Sequence, residues 1–274
     1  TYNRGLNVYT SINAEDQRAA YNALRRGILD YEKRQAFRGP EKFVELPKNP
    51  QERAEAIDDA LADRPDIGDM LAAVVLEAEP RKILAVRQGG ERIEITGDGL
   101  RATQSGLSPK AAPAIKIRPG AVIRVVKSAR GGWETAQLPE VEGAFVALDP
   151  RNGAVKALVG GFDFDKNKFN HVTQAWRQPG SSFKPFIYSA ALEKGFSPTT
   201  MINDAPLFFD SSVTGGQPWE PKNYEGGFEG PMTMKRGLAR SRNMISIRIL
   251  QTITPQFGQE WVSRFGFDAD KNPP

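Results

Sequence analysis

A serine and a lysine three residues apart open a predicted helix in the second half of the chain. The segment RQPGSSFKPF occupies residues 177–186, and apolar residues continue from it at helical spacing. Because the preceding Pro-Gly pair breaks helices, we expect the helix to begin at Ser181, with Lys184 one turn later on the same face. A serine at a helix N-terminus is usually a capping residue. The sequence therefore leaves two roles open for Ser181, a cap or a nucleophile.

A serine nucleophile needs a base that takes its proton. The single histidine, His171, lies ten positions before Ser181 and has no evident acidic partner, which disfavours a serine–histidine–aspartate triad and leaves a surface or groove-lining role. Lys184 can act instead if burial beside Phe183 and Phe186 favours its neutral amine, as the positive end of the helix dipole also does. The alternative is a lysine whose stem packs while its ammonium reaches water.

Three polar residues interrupt a second predicted helix. In GLARSRNMISIRI, residues 237–249, the run Ser241-Arg242-Asn243 breaks an otherwise amphipathic pattern, and such side chains are unfavourable inside a helix unless they have a role or face water. A Ser-x-Asn sequence means little alone. Here it follows Ser-x-x-Lys by 60 residues, and the two together are typical of serine acyltransferases that recognise penicillin.

Composition limits the other functions of the chain. The 274 residues carry a net charge of +4, and basic residues are scattered among acidic ones, which disfavours nucleic-acid binding. The absence of cysteine excludes a disulfide framework and cysteine-ligated metal, and we predict neither a metal site nor a cofactor. No apolar run approaches the roughly 18 residues of a membrane span. The sequence starts without methionine, so we expect a piece of a longer chain.

Strand-length segments separated by Gly-Gly, Gly-Asp-Gly or Pro-Gly turns begin at residue 71 and predict a small antiparallel β-barrel of the OB type. Only Trp133 is aromatic in this region, which disfavours base stacking. The hairpin GAFVALDPRNGAVKALVGG and helices near 233–251 and 255–265 follow. The predicted fold is therefore an α+β domain with an inserted antiparallel β module.

Changes in the pattern of predicted helices and strands divide the chain into four parts. We expect that removal of the third part, the β insert, leaves its flanking segments folded. The parts are a linker that contains a strand (1–12), a helical part (13–79), the OB-like β insert (80–138) and the α+β domain (139–274).

Longer segments of the chain resemble the class A penicillin-binding proteins. The segments RQPGSSFKPFIYSAALEKG and WEPKNYEGGFEGPMTMKRGLARSRN are similar to the transpeptidase domain of that family, and the hairpin is similar to the one that precedes its active serine. GLNVYTSINAEDQRAAYNALRRGILDYEKRQAFRGP is similar to the segment that follows the family's glycosyltransferase domain. The resemblance covers nearly the whole chain, and an OB-like insert at this position is typical of Gram-negative members.

The resemblance implies a role for each matching residue. Ser181 is the nucleophile that attacks the D-Ala-D-Ala carbonyl of a peptidoglycan stem peptide, its backbone N–H is half of an oxyanion hole, and Lys184 is its base. Ser241 passes a proton toward the leaving D-Ala, and Asn243 holds the substrate amide. An amine of a neighbouring stem peptide then accepts the acyl group, which cross-links the cell wall, and β-lactam antibiotics acylate the same serine.

The resemblance also implies a cellular setting. The site faces the periplasm at the bacterial inner membrane, and the membrane anchor and glycosyltransferase domain lie outside this segment. An outer-membrane lipoprotein activator is the implied partner of the OB-like module. The family binds no nucleic acid in this role.

One departure from the family pattern concerns its third motif, Lys-Thr/Ser-Gly, which the 274 residues lack. The sequence KRG at 235–237 precedes Ser241 in a predicted helix and is not that motif. We therefore expect this chain by itself to be inactive. Two other functions stay open: a serine β-lactamase, which would typically have Asp where Arg242 stands, and a non-catalytic interaction module. Covalent labelling by a fluorescent penicillin distinguishes the enzyme from the module.

Overall fold

The computed structural model of the chain describes residues 5–128 and 131–272. The chain folds as two units, one up to Ala175 and one from Trp176. Within the described ranges, no helix has the length and apolar character that crossing a membrane requires. The helices and strands follow in this order: α1 (Ala14–Glu32), β1 (Lys42–Phe43), α2 (Pro50–Ala62), β2 (Leu71–Glu79), β3 (Lys82–Val86), β4 (Arg92–Thr96), α3 (Gln104–Leu107), β5 (Ala121–Lys127), β6 (Trp133–Ala136), β7 (Phe145–Leu148), β8 (Val155–Val159), α4 (Lys184–Glu193), β9 (Met201–Asp204), α5 (Ser211–Thr214), β10 (Gly230–Thr233), α6 (Met234–Ala239), α7 (Asn243–Ile253) and α8 (Pro255–Ser263).

Helix α1 begins where the sequence predicts. The Asn13 side chain accepts hydrogen bonds from the backbone N–H groups of Glu15 and Asp16, the capping arrangement that satisfies the first free donors of a helix. Gln17 joins the helix to β8, since its side chain donates to Leu158 O at 2.9 Å and accepts from Leu158 N at 2.8 Å. The strand predicted within the linker (1–12) is wrong, because its described residues, 5–12, form no strand. Ser11 and Asn13 instead make single hydrogen bonds to the backbone of β8.

Six strands of the first unit form an antiparallel sheet in the order β1-β5-β2-β3-β4, and β6 pairs with the later residues of β5. Its inner face is built of buried aliphatic side chains. This arrangement confirms the predicted antiparallel β module. Two of its strands, β1 and β2, precede residue 80, so the sheet begins earlier than the predicted insert; the four domain boundaries stay a prediction.

The module is not closed into a hydrogen-bonded barrel, since no ladder joins β4 to β6 among the residues that the structure describes. A 3-10 segment, Gly97–Thr103, leaves β4 and packs against β6 instead. Thr103 Oγ1 donates to Thr135 Oγ1 at 3.0 Å, and Thr135 Oγ1 donates to Gly99 O at 2.9 Å. A Cβ atom on Gly99 would lie 2.4 Å from Trp133 O, so the close approach requires glycine.

The predicted hairpin at residues 143–161 is confirmed as β7 and β8, which pair antiparallel. Its turn is closed by Gly153 N donating to Asp149 O at 2.8 Å, and the positive φ of Gly153, 74°, explains glycine at this position. Together with α1, β8 buries Ala20, Ala157 and Val159.

The second unit has a core between α4, α7 and α8, and β9 pairs antiparallel with β10. The predicted helix near 255–265 is confirmed as α8. The single helix predicted near 233–251 is wrong, because α6 ends at Ala239 and α7 begins at Asn243. The residues between them form a loop. The core of this unit consists of Ile187, Tyr188, Ala190, Ala191, Met232, Met234, Ile245, Ile249 and Ile253.

Candidate active site

Ser181 and Lys184 lie at the junction of two helical segments. Ser181 belongs to a 3-10 turn, Gly180–Phe183, and Lys184 is the first residue of α4. The backbone N–H of Lys184 donates to Ser181 O, so the 3-10 turn leads directly into α4. Neither segment has a side-chain capping hydrogen bond at its N-terminus, so Ser181 does not act as the cap that its position suggested. Its side chain is exposed.

Ser241 lies in the loop between α6 and α7 with a left-handed backbone, at a φ of 52°. Such a conformation costs a non-glycine residue about 1–3 kcal/mol and is found where the surrounding structure enforces it. It brings Ser241 Oγ to 3.1 Å from Ser181 Oγ, to which it donates. The mid-helix position predicted for Ser241 is therefore wrong. The polar run lies between two helices, because α6 ends before the left-handed Ser241 and α7 begins at Asn243.

Lys184 Nζ donates three hydrogen bonds to this loop and to the start of α7. The acceptors are Ser241 O at 2.6 Å, Ser241 Oγ at 3.1 Å and Asn243 Oδ1 at 2.7 Å. These three acceptors take the three N–H groups of an ammonium, and only 9% of the lysine is exposed. Burial lowers the pKa of Lys184 from its ordinary 10.5, because low-dielectric surroundings disfavour its charge.

Among the described residues, no direct hydrogen bond joins Ser181 to Lys184, the base that the resemblance implies for it. The three bonds of Lys184 Nζ go to Ser241 and Asn243, and Ser241 Oγ is the atom that reaches Ser181. The four predicted residues are therefore brought together as a relay, with Ser241 between the other serine and the lysine. A proton can pass along it in two short steps, since hydroxyl hydrogens rotate to suit either direction.

The Arg242 side chain, which stands where the alternative family has Asp, balances two carboxylates. It is 6% exposed, its Nε lies 3.7 Å from Asp204 Oδ2, and its guanidinium also contacts Glu229. Arg236 and Arg240 donate to the same Glu229 at 3.2 and 2.9 Å. These ion pairs fix the loop that carries Ser241.

Sequence reasoning missed the residues that hold Asn243. Asn223 Oδ1 accepts from the backbone N–H of Asn243 at 2.9 Å, and Lys222 O accepts from Asn243 Nδ2 at 2.8 Å. The only sequence sign of this contact is the run Lys222-Asn223-Tyr224 in a loop rich in glycine. Hydrophobic periodicity does not show that this loop contacts α7.

His171 belongs to the first unit, where it is half-buried. Its Nδ1 makes a 2.8 Å hydrogen bond with Gly160 O, and its ring packs edge-on against Phe169 with centroids 4.9 Å apart. In the described ranges, no cluster of three or more His, Asp or Glu side chains is arranged to hold a metal ion.

Comparison with known proteins finds two family models in consecutive ranges. The model described as penicillin-binding protein OB-like domain matches residues 37–141, and the model described as penicillin binding protein transpeptidase domain matches residues 143–272. Together they cover most of the chain.

The relatives match nearly the full length of this chain but are much longer. Penicillin-binding protein 1A of Neisseria lactamica is 40% identical over 273 residues, 99% of this chain and 34% of that protein. The protein of the same name from Escherichia coli K12 is 37% identical over 276 residues, 98% of this chain and 32% of that protein. The chain thus spans about a third of these relatives.

A solved structure gives the same assignment. The crystal structure of penicillin-binding protein 1A from Haemophilus influenzae matches 96% of this chain and 38% of that chain, with a TM-score of 0.83 and 32% identity. Sequence, domain order and fold agree. The chain therefore belongs to the class A penicillin-binding proteins and is similar to penicillin-binding protein 1A.

Proposed function

We propose that this chain is the acyl-transfer part of a peptidoglycan D,D-transpeptidase, a serine-type D-Ala-D-Ala transpeptidase and carboxypeptidase, with Ser181 as its nucleophile. The observation that supports this function most strongly is the relay from Ser181 Oγ through Ser241 Oγ to Lys184 Nζ, with 3.1 Å at each step. A serine hydroxyl is a weak nucleophile unless a base takes its proton, and a buried lysine with a lowered pKa can be that base.

In the first half of the reaction, Ser181 Oγ attacks the penultimate D-Ala carbonyl carbon, and its proton passes through Ser241 to the neutral Lys184 amine. The bond from this carbonyl to the terminal D-Ala nitrogen then breaks, and Ser241 hands a proton to the leaving amine. Asn243, whose Nδ2 faces Lys222 O and whose Oδ1 faces Lys184, lies beside this path and is proposed to hold the substrate amide. The product is an ester on Ser181.

In the second half, an amine of a neighbouring stem peptide attacks the ester. Lys184 takes the amine proton, the new amide forms, and the proton returns to Ser181. Water in place of the amine gives the carboxypeptidase reaction. A β-lactam ring replaces the D-Ala-D-Ala amide and leaves Ser181 acylated, because ring opening keeps the leaving nitrogen attached.

We infer that the natural protein is about three times this length, as its relatives are. We infer a glycosyltransferase domain and a membrane anchor outside this chain, a position at the periplasmic face of the inner membrane, and a lipoprotein activator at the OB-like module. The third motif, Lys-Thr/Ser-Gly, would also come from outside these residues.

The experiment is covalent labelling with a fluorescent penicillin, in the full-length protein that carries this chain. Ser181→Ala should abolish labelling, whereas Ser182→Ala, which removes the adjacent exposed hydroxyl, should leave it intact. Labelling of both variants alike would refute Ser181 as the nucleophile. Reversible binding without labelling would favour an interaction module, and rapid hydrolysis of the drug would favour a β-lactamase.

The same label should react slowly with the 274-residue chain by itself. The third motif would complete the oxyanion hole and contact the carboxylate of the substrate. Loss of one oxyanion-hole donor alone typically lowers the rate by about a hundredfold to a thousandfold. Equal labelling rates for the chain and the full-length protein would mean that this motif is not needed.

A further inference from the structure

The loop residues Lys222 and Asn223 hold Asn243 at two points. Asn223 Oδ1 accepts a hydrogen bond from the backbone N–H of Asn243, one of the donors that the first turn of a helix leaves unpaired. Lys222 O accepts from Asn243 Nδ2. With its nitrogen turned toward Lys222, the Asn243 amide presents its oxygen to Lys184 Nζ at 2.7 Å.

Asn223 is itself fixed in one orientation. It is 5% exposed, and its Nδ2 donates to Asp204 Oδ1 at 2.9 Å and to Gly227 O at 3.0 Å, which uses both of its N–H donors. Asp204 is fully buried and accepts a further hydrogen bond from Glu229 N at 3.0 Å. An amide whose two ends are both bonded cannot flip without leaving buried groups unpaired, which is costly.

We propose that Asn223 is a positioning residue for acyl transfer. It holds Asn243, and Asn243 Oδ1 is the oxygen that accepts a hydrogen bond from Lys184. This inference rests on the proposed function of Ser181 and Lys184. Among the described residues, no hydrogen bond joins Asn223 to either of them, so its effect passes through Asn243. Asp204 anchors Asn223 from the opposite side.

The test is a double-mutant cycle in the full-length protein that carries this chain, with the rate of fluorescent penicillin labelling as the readout. Loss of one neutral hydrogen bond corresponds to roughly a tenfold lower rate, so Asn223→Ala should slow labelling by about that factor. If Asn223 acts through Asn243, the double variant should label no more slowly than Asn243→Ala alone. Asn203→Ala, at an exposed asparagine of β9 next to Asp204, is the matched control and should label at the wild-type rate.

Hydrogen exchange gives a readout that does not depend on labelling. Asn223→Ala should speed exchange of the Asn243 amide while leaving the amides of α4 protected. Slowing by Asn223→Ala that adds fully to that of Asn243→Ala, or an unchanged labelling rate, would overturn the positioning role, as would unchanged exchange at Asn243. A wild-type protein that penicillin does not label would refute the proposed function, and exchange at Asn243 would still decide whether Asn223 holds it.

Discussion

Lys184 must be neutral to accept a proton, yet its three hydrogen bonds suit an ammonium. Burial lowers its pKa from 10.5, so the neutral amine forms at a lower pH than for a free lysine. The fraction of neutral Lys184 rises as pH increases through this lowered pKa. We therefore expect the penicillin labelling rate to rise with pH along a limb centred below 10.5.

Substitution of Lys184, the proposed base, should abolish that limb. Lys184→Arg places a cation that cannot deprotonate, so labelling should fall by about a hundredfold or more at every pH. Lys194→Arg, at the exposed end of the same helix, is the control and should keep the wild-type profile. A limb centred at the ordinary lysine value, or labelling that Lys184→Arg leaves unchanged, would contradict the role of base.

The left-handed backbone of Ser241 allows strain and chemistry to be separated. Ser241→Gly removes the hydroxyl and relieves the φ of 52°, whereas Ser241→Ala removes the hydroxyl and keeps the strain. Both variants should lose most penicillin labelling. The glycine variant should be more stable than the alanine variant by about 1 kcal/mol in urea unfolding, since left-handed residues cost about that much without glycine. Equal stability would mean that the loop relaxes.

At the residue scale, the sequence identified the four residues of the relay because each pair has a short, recognisable spacing. It did not identify Asn223 or Asp204, whose partners are 20 and 25 residues away at Asn243 and Glu229. It placed Ser181 and Lys184 on one helix face, but helix spacing does not give the lysine rotamer, which the acceptors of Ser241 and Asn243 select.

At the scale of elements, the approach of α6 to α7 positions the Ser241 loop. Gly237 of α6 lies so close to α7 that a Cβ there would stand 2.6 Å from Ile245 Cγ2, and Ile245 is fully buried. A side chain at residue 237 would therefore force the Ile245 side chain or the two helices to shift. The loop between them is only three residues long, from Arg240 to Arg242, and it would move with them.

Two glycine-to-alanine substitutions test this packing. Gly237→Ala should lower the free energy of unfolding by up to about 2 kcal/mol, because overpacking outweighs the gain in helix propensity, and should slow labelling. Gly27→Ala is the matched control: Gly27 lies within α1, and a Cβ there would meet nothing within 4 Å. It should raise stability by about 1 kcal/mol in the same urea titration. A stabilising Gly237→Ala would show that the helices have room.

Element types were more predictable than element ends. Capping by Asn13 and the Asn-Gly turn act locally, so α1 and the β7–β8 hairpin follow from sequence. At the break, Arg242 next to Ser241 forms ion pairs with Asp204 and Glu229, which are distant in sequence. Periodicity therefore joined α6 and α7 into one helix.

At the scale of the whole molecule, the β module and α1 are parts of one packed unit. A buried cluster brings Ile28 of α1 together with Met70 and Phe162, and Val126 and Leu138 pack against it. Arg25 of α1 adds ion pairs to Asp69 and Asp163. The expectation that residues 80–138 can be removed without harm to their flanks does not fit these contacts.

Deletion of residues 80–138 should therefore unfold the first unit and spare the second. The deletion removes β3 and β5, the two neighbours of β2, so the buried Val74 and Val75 would face water and the β2 edges would be free to pair with other chains. Hydrogen exchange should show lost protection in β2 and α1. The amides of α4 and α7 should stay protected, because the core of the second unit is formed by residues from Ile187 to Ile253. The full 274-residue chain at the same concentration is the control, with light scattering to detect aggregation. Retained protection in α1 and β2 after the deletion would show that the flanking segments fold without the insert.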